Sequence, residues 1–347
     1  MAELAMHTAS LVAISILYFT GIFASIPADG ASSLPTIAVQ SGYSKEMLQP
    51  MLRYASIMGI GFLDTKDSVS HTETSKLLAF DRDIQGAVGH QLCLVLPAII
   101  NLALHAQTMT GESTRCTAAF NLAFNTTLPS SIFIGQQDRY RERFESSMKA
   151  LTRTSFMSVL HLVDGFDWNG LPEGTIVDVG GGTGTLARAV AARLPGRTII
   201  VQDLEQVVLN AAQSDLNKQV RQIEFMAQDI LEPNVIMEPA AFVTRIVLHN
   251  FPRPDIVRIL RQLAKAMRPG HTRLIIAEII VPDALSYPMA PYISALNLTM
   301  LAMFNGHERS LDDWRAVMEE ADPALELLQC DSPANSAIGY MVLIKHV

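Results

Sequence analysis

From Trp168 onward, short apolar runs alternate with stretches whose apolar residues recur at helical spacing. The short runs predict strands at 175–179, 198–202, 222–226, 242–248 and 272–279. The periodic stretches predict helices at 184–194, 205–215, 254–267 and 310–321. Pro254 opens the third of these and Gly270 lies just past its end, as helix termini favour. Two further runs, 324–330 and 337–345, read as a closing antiparallel pair. Alternation of this kind implies parallel β-α units, so the expected fold class is α/β.

The first half has a different pattern. Leu4–Pro27 carries no charged residue and is nearly long enough to span a bilayer. Only Glu3 precedes it, so the basic flank of a signal peptide is missing, and six polar residues from His7 to Ser25 dilute it. A helix buried between two subunits is expected, with no membrane role. Helical spacing at 32–41 and 44–59, with Ser44 as N-cap, precedes a predicted hairpin of 60–63, a polar turn at 64–67, and 69–74. Two helices and a wing suggest a winged-helix unit. Its second helix holds only Lys45 and Arg53 as bases, so dimerisation is expected rather than DNA binding. Residues 85–165 read as helices, with His90 near the start of the apolar run Gly89–Ala106 and a long amphipathic run at Tyr140–Phe166. Most of these apolar residues belong to a core; Phe156 and Met157 are candidates to line a pocket. The expected domains are 1–100, winged-helix-like; 101–166, a helical connector; and 167–347, the α/β domain.

Composition narrows the class. The 347 residues are 49% hydrophobic and 17% charged, which favours a large core over disorder. A net charge of −8 with no basic cluster argues against nucleic acid as a partner. Cys93, Cys116 and Cys330 are widely spaced and form neither a metal pattern nor a disulfide framework, so an intracellular, cytoplasmic setting is expected with no metal.

The chemistry centres on Thr175–Asp203, read as strand, glycine turn, helix, strand and acid. Gly180, Gly181, Gly182 and Gly184 let the backbone turn sharply and approach a ligand. Asp203, just past the second strand, is placed to accept from both hydroxyls of a ribose. Gly182 to Ala187 with Asp203 also fits a dinucleotide fingerprint. Asp178 before the turn, Asp229 after the next strand and the segment Arg245–Asn250 favour S-adenosylmethionine over NAD. Three strand ends then converge: His249, Glu278, and Glu308 in the loop before a helix. A histidine with carboxylates beside it is a general base with an orienting partner. A lone histidine is more often structural; its setting carries the reading.

These motifs resemble the plant and fungal caffeic-acid-type O-methyltransferase family. The resemblance rests on the glycine turn, Gln202-Asp203, Leu248-His249-Asn250-Phe251, Arg268-Pro269-Gly270 and Gly306-His307-Glu308-Arg309. It implies a class I methyltransferase Rossmann-like sheet with an N-terminal winged-helix dimerisation domain, hence a homodimer. It implies cofactor contacts at Asp178, Gly180, Gly182, Asp203, Leu204, Asp229, Ile230 and Arg245, with His249 as base flanked by Glu278 and Glu308. A substrate pocket of His90, Phe156, Met157, Met300 and Met303 would take a small aromatic or polyketide acceptor. Two departures stand out: Asn250 replaces the usual aspartate, and Arg245 stands where plant members often have lysine. The Gly89-His90 and Ala119–Thr126 segments also resemble a fungal group that includes pericyclases, which keep the cofactor but move no methyl. That alternative predicts a pericyclase or dehydratase.

Overall fold

The computed structural model describes residues 2–59, 62–65, 68–108, 113–214, 218–282 and 289–347. The chain divides into two compact units, residues 1–96 with 136–151, and residues 97–135 with 152–347. The stretch expected as a connector is thus shared between them.

In the first unit, helices Ala2–Thr20, Leu34–Ser41 and Lys45–Ile57 pack with a small antiparallel sheet. Its strands are β1 (Ala31–Ser33), β2 (Phe62–Thr65) and β3 (Ser68–His71), in the order β1-β3-β2. The wing therefore has a third strand that periodicity did not reveal, since Ala31–Ser33 is too short to show alternation. Residues 60, 61, 66 and 67 of the expected hairpin lie outside the described residues. Ser33 and Ser44 cap their helices, each accepting from a backbone amide three residues on. Leu17, Ile22, Ile37, Leu48, Leu52 and Val69 form the core. The uncharged N-terminal stretch is not one helix: Gly21, at φ 68°, ends the first helix, and Ile22–Ser25 makes a 3₁₀ turn. Among the described residues, one helical run, Arg82–Thr108, is long and apolar enough to cross a membrane; it begins in this unit, its residues from 97 on belong to the second, and a π turn at Gln91–Val95 interrupts it.

The second unit holds a seven-stranded sheet. Its strands are β4 (Ile176–Val179), β5 (Ile199–Asp203), β6 (Ile223–Ala227), β7 (Ala241–Arg245), β8 (Arg273–Glu278), β11 (Leu325–Asp331) and β12 (Gly339–Lys345). β9 (Ile280–Val281) and β10 (Arg309–Ser310) form a separate parallel pair. The sheet order is β11-β12-β8-β7-β4-β5-β6, parallel from β8 to β6 and antiparallel at β12 and β11. β4, β5, β7 and β8 are buried along nearly their whole length, as a sheet covered on both faces requires, whereas the edge strand β6 exposes Glu224 and Ala227. Helices Arg253–Ala266 and Leu311–Ala321 pack Ile256, Leu260, Trp314 and Val317 against Phe242, Leu274 and Met341.

Two expectations are corrected. The run Tyr140–Phe166 is not continuous: it breaks into Asp138–Thr152, a 3₁₀ turn at Ser155–Met157 and Leu160–Gly165. The polar stretch Thr152–Ser155 interrupts it, and the Ser158 hydroxyl accepts from the amide of Leu160 at the new start. The strand expected at 242–248 ends at Arg245. Ile246 sits at φ 55°, a rare conformation for a β-branched residue, and Leu248–Asn250 follow as a 3₁₀ turn. His249 is therefore on a turn rather than a strand. Phe242 is fully buried at the centre of this core. Phe242→Ala should cost about 3–5 kcal/mol, read as a lowered denaturant midpoint with the slope unchanged.

Candidate active site

In a parallel sheet all strands deliver their carboxyl ends to one edge. β4 is the switch point, because β5 and β6 lie to one side of it and β7 and β8 to the other. The crevice at such a point is where α/β sheets bind ligands. Asp178 and Gly180 stand at the end of β4, Asp203 ends β5, Asp229 follows β6, Arg245 ends β7 and Glu278 ends β8.

The glycine turn is required by geometry. Gly180 and Gly182 have φ of 72° and 57°. A Cβ on Gly180 would meet Val247 Cγ2 at 2.8 Å, and one on Gly181 would meet the Asp178 carboxylate at 2.6 Å. Asp203 Oδ2 accepts from the Gly182 amide at 2.9 Å, and Oδ1 from the Leu204 amide at 2.8 Å. Its carboxylate is thus fixed, with lone pairs left on both oxygens for a diol. Asp178 is buried and its Oδ2 has no partner among the described residues. Burial pushes its pKa up to about 7, against the pull of Arg245. An unpaired buried carboxylate oxygen of this kind suits an ammonium group. Exposed Asp229 caps its own turn, accepting from the Leu231 amide at 2.9 Å, and Ile230 packs on the core. Arg245 donates to the carbonyl of Met157. Burial lowers the Arg245 pKa, while Asp178 and Glu278 oppose that.

Beyond β7 lies a buried polar cluster. Val247 and Leu248 donate their amides to Glu278 Oε1 at 2.9 and 2.7 Å. Glu278 so holds the turn that carries His249. His249 Nδ1 and Glu308 Oε1 are 2.7 Å apart, and the His249 and Glu308 side chains are 5% and 0% exposed. An Nδ1–H donated to Glu308 leaves Nε2 with its lone pair. Burial works to lower the His249 pKa, but Glu308 and Glu278 outweigh it, so the pKa is raised. Glu278 Oε2 and Glu308 Oε2 are buried without partners among the described residues. The ligand atoms of the three residues lie within 4.8 Å of one another, a geometry that could hold a metal. Nδ1 is already engaged by Glu308, however, and Arg309 brings a positive charge to the same cluster.

Comparison with known proteins decides the family. The O-methyltransferase domain matches residues 105–322. O-methyltransferase pgmB of Aspergillus terreus (strain NIH 2624 / FGSC A1156) is 31% identical over 330 residues, covering 92% of each chain. The chain belongs to the O-methyltransferase family. The mitomycin 7-O-methyltransferase MmcR shares the fold at a TM-score of 0.84 and 21% identity, over 99% of this chain and 96% of MmcR. A pericyclic reaction enzyme shares it at 0.82 and 20% identity, over 99% of this chain and 88% of that one. The fold has also been solved with S-adenosylmethionine bound, and S-adenosylmethionine is the cofactor of this O-methyltransferase.

Of the two expected flanking acids, Glu308 alone hydrogen-bonds the imidazole; Glu278 bonds the backbone of its turn. Phe156 is half-buried and meets Tyr292 edge-on at 5.0 Å, while Met157, Met300 and Met303 are buried. His90 belongs to the first unit, buried and edge-on to Phe144 at 5.5 Å. Sequence reasoning missed Tyr292 and Asn297, whose Oδ1 accepts from the Glu308 amide at 2.9 Å. Both lie on the apolar helix Ala290–Phe304, where no spacing marks a polar residue as functional.

An Asp178 that titrates near 7 gives the methyltransferase a testable cofactor dependence. If Asp178 is the group that holds the cofactor's ammonium, its carboxylate form supplies the attraction, and below pH 7 the group takes up a proton and that attraction is lost. Affinity for S-adenosylhomocysteine should therefore weaken by up to about tenfold per pH unit below 7. Asp178→Asn should flatten the profile in calorimetry, and an unchanged profile would remove Asp178 from the ammonium site.

Proposed function

We propose that this O-methyltransferase methylates a phenolic hydroxyl of a small aromatic, polyketide-type metabolite, with His249 as the general base. The observation that carries the reading is the 2.7 Å bond from His249 Nδ1 to Glu308, buried beside the carboxyl edge of the sheet. Asp203 would hold the ribose diol and Asp178 the ammonium, with Gly180, Gly182, Leu204, Asp229, Ile230 and Arg245 around them. Phe156, Met157, Met300 and Met303 would wall the acceptor. Bound S-adenosylmethionine supplies a methyl group made electrophilic by its sulfonium. His249 Nε2 takes the phenol proton as the oxygen gains the methyl. A phenol of pKa about 10 and an ordinary imidazole of about 6.5 differ by roughly 5 kcal/mol. The raised pKa of His249 narrows that gap, and Glu308 stabilises the imidazolium that forms. The exposed outer face of helix Ala2–Thr20, with Leu11, Val12 and Phe19, is proposed to be covered by a second copy of the chain.

A second reading is pericyclic or dehydrating chemistry: a pericyclic reaction enzyme shares this fold, and one fold can host either reaction. In that reading product forms with no S-adenosylhomocysteine.

The methyl-transfer reading predicts that His249→Ala lowers turnover by about 10²–10⁴ and leaves affinity for S-adenosylhomocysteine unchanged. Glu308→Gln should lower turnover less. A base with a raised pKa is protonated, and so inactive, below that pKa. The acid limb of kcat/KM should then fall above the ordinary histidine value of about 6.5, and Glu308→Gln should move it down. A His249→Ala variant that turns over like wild type contradicts the assignment.

A further inference from the structure

Arg309 has no part in the chemistry above, yet its side chain is the most completely buried cation of the catalytic unit's polar cluster, at 1% exposure. Its Nη1 donates to the carbonyl of His307 at 2.8 Å and its Nη2 to that of Phe251 at 3.1 Å. The guanidinium carbon lies 5.5 Å from the centre of the Trp314 ring. One rigid fork therefore joins the turn that carries His249 to the loop that carries Glu308. The backbone brings the same segments together. Arg309 pairs with Ile280, two residues beyond Glu278. A Cβ on Gly306 would lie 2.0 Å from the His249 carbonyl oxygen, so the two segments touch with no room for a side chain.

We propose that Arg309 is a positioning residue for the base, clamping the turn 248–251 to the loop 305–308 and thereby setting the bond between Glu308 and His249. Naming His249 the base rests on the methyl-transfer reading; the clamp itself does not. The groups that face Arg309 agree with this placement. Burial brings its pKa down to about 10, opposed by Glu278, Glu308 and Asp313 and assisted by Arg253, so it remains a cation at pH 7. A lysine would keep the charge but could not reach two carbonyls in one plane.

The test uses the full chain saturated with S-adenosylhomocysteine and needs no acceptor. The wild type should show a far-downfield imidazole Nδ1–H proton resonance from the bond to Glu308, assigned by its loss in His249→Gln. Arg309→Met should lose that resonance, and Arg309→Lys should retain it weakened and shifted upfield. Calorimetric affinity for S-adenosylhomocysteine should be unchanged in both. Should the Met variant not fold, the Lys variant carries the test alone. A purely structural Arg309 would lower the melting temperature and leave the resonance of the folded variants as in wild type; that result overturns the proposal. If the methyl-transfer reading is what fails, wild type yields no S-adenosylhomocysteine with any acceptor, while the contrast in resonance persists.

Discussion

An imidazole, two carboxylates and a guanidinium sit together out of water, and the catalytic unit is arranged around keeping them there. Each buried charge carries a desolvation cost of several kcal/mol unless it is paired and bonded. The pairing is divided: Glu308 takes the His249 ring, Glu278 takes two backbone amides, and Arg309 takes two carbonyls. No member of the set is free to reorient without stranding another. That rigidity fixes the imidazole tautomer and aims Nε2 away from Glu308.

The fold explains why the cluster forms where it does. β7 and β8 run parallel and deliver Arg245 and Glu278 to the same edge. The chain must then leave β7 abruptly so that amides point at Glu278, and the left-handed Ile246 makes that turn. A strained residue at this position is held in place by the Glu278 bonds that follow it and by its own amide, which donates to Ala277 at 3.0 Å. At the switch point, the glycine turn leaves Asp178 and Asp203 at the carboxyl ends of β4 and β5 with unused acceptor capacity.

Much of this was legible in the sequence. The parallel strands announced themselves as apolar runs, and their carboxyl ends named Asp178, Asp203, Asp229, Arg245 and Glu278 as candidates. What stayed hidden followed from geometry that periodicity does not encode. A β-branched isoleucine gives no signal for a left-handed turn, so the apolar run continues past the end of β7 at Arg245. Glu278 reads as a histidine partner by position, yet the turn amides claim it. Arg309 stood within a family motif but showed no reason for being there until its two carbonyls were located. Tyr292 and Asn297 were masked by the apolar helix around them.

In the proposed reaction a methyl group moves to the acceptor oxygen and His249 receives the proton released. Its most direct test is the reaction with methyl-labelled S-adenosylmethionine over a panel of phenolic aromatics, followed by mass spectrometry. The account predicts labelled product and S-adenosylhomocysteine in a one-to-one ratio. Product that carries no label and forms without S-adenosylhomocysteine would contradict it.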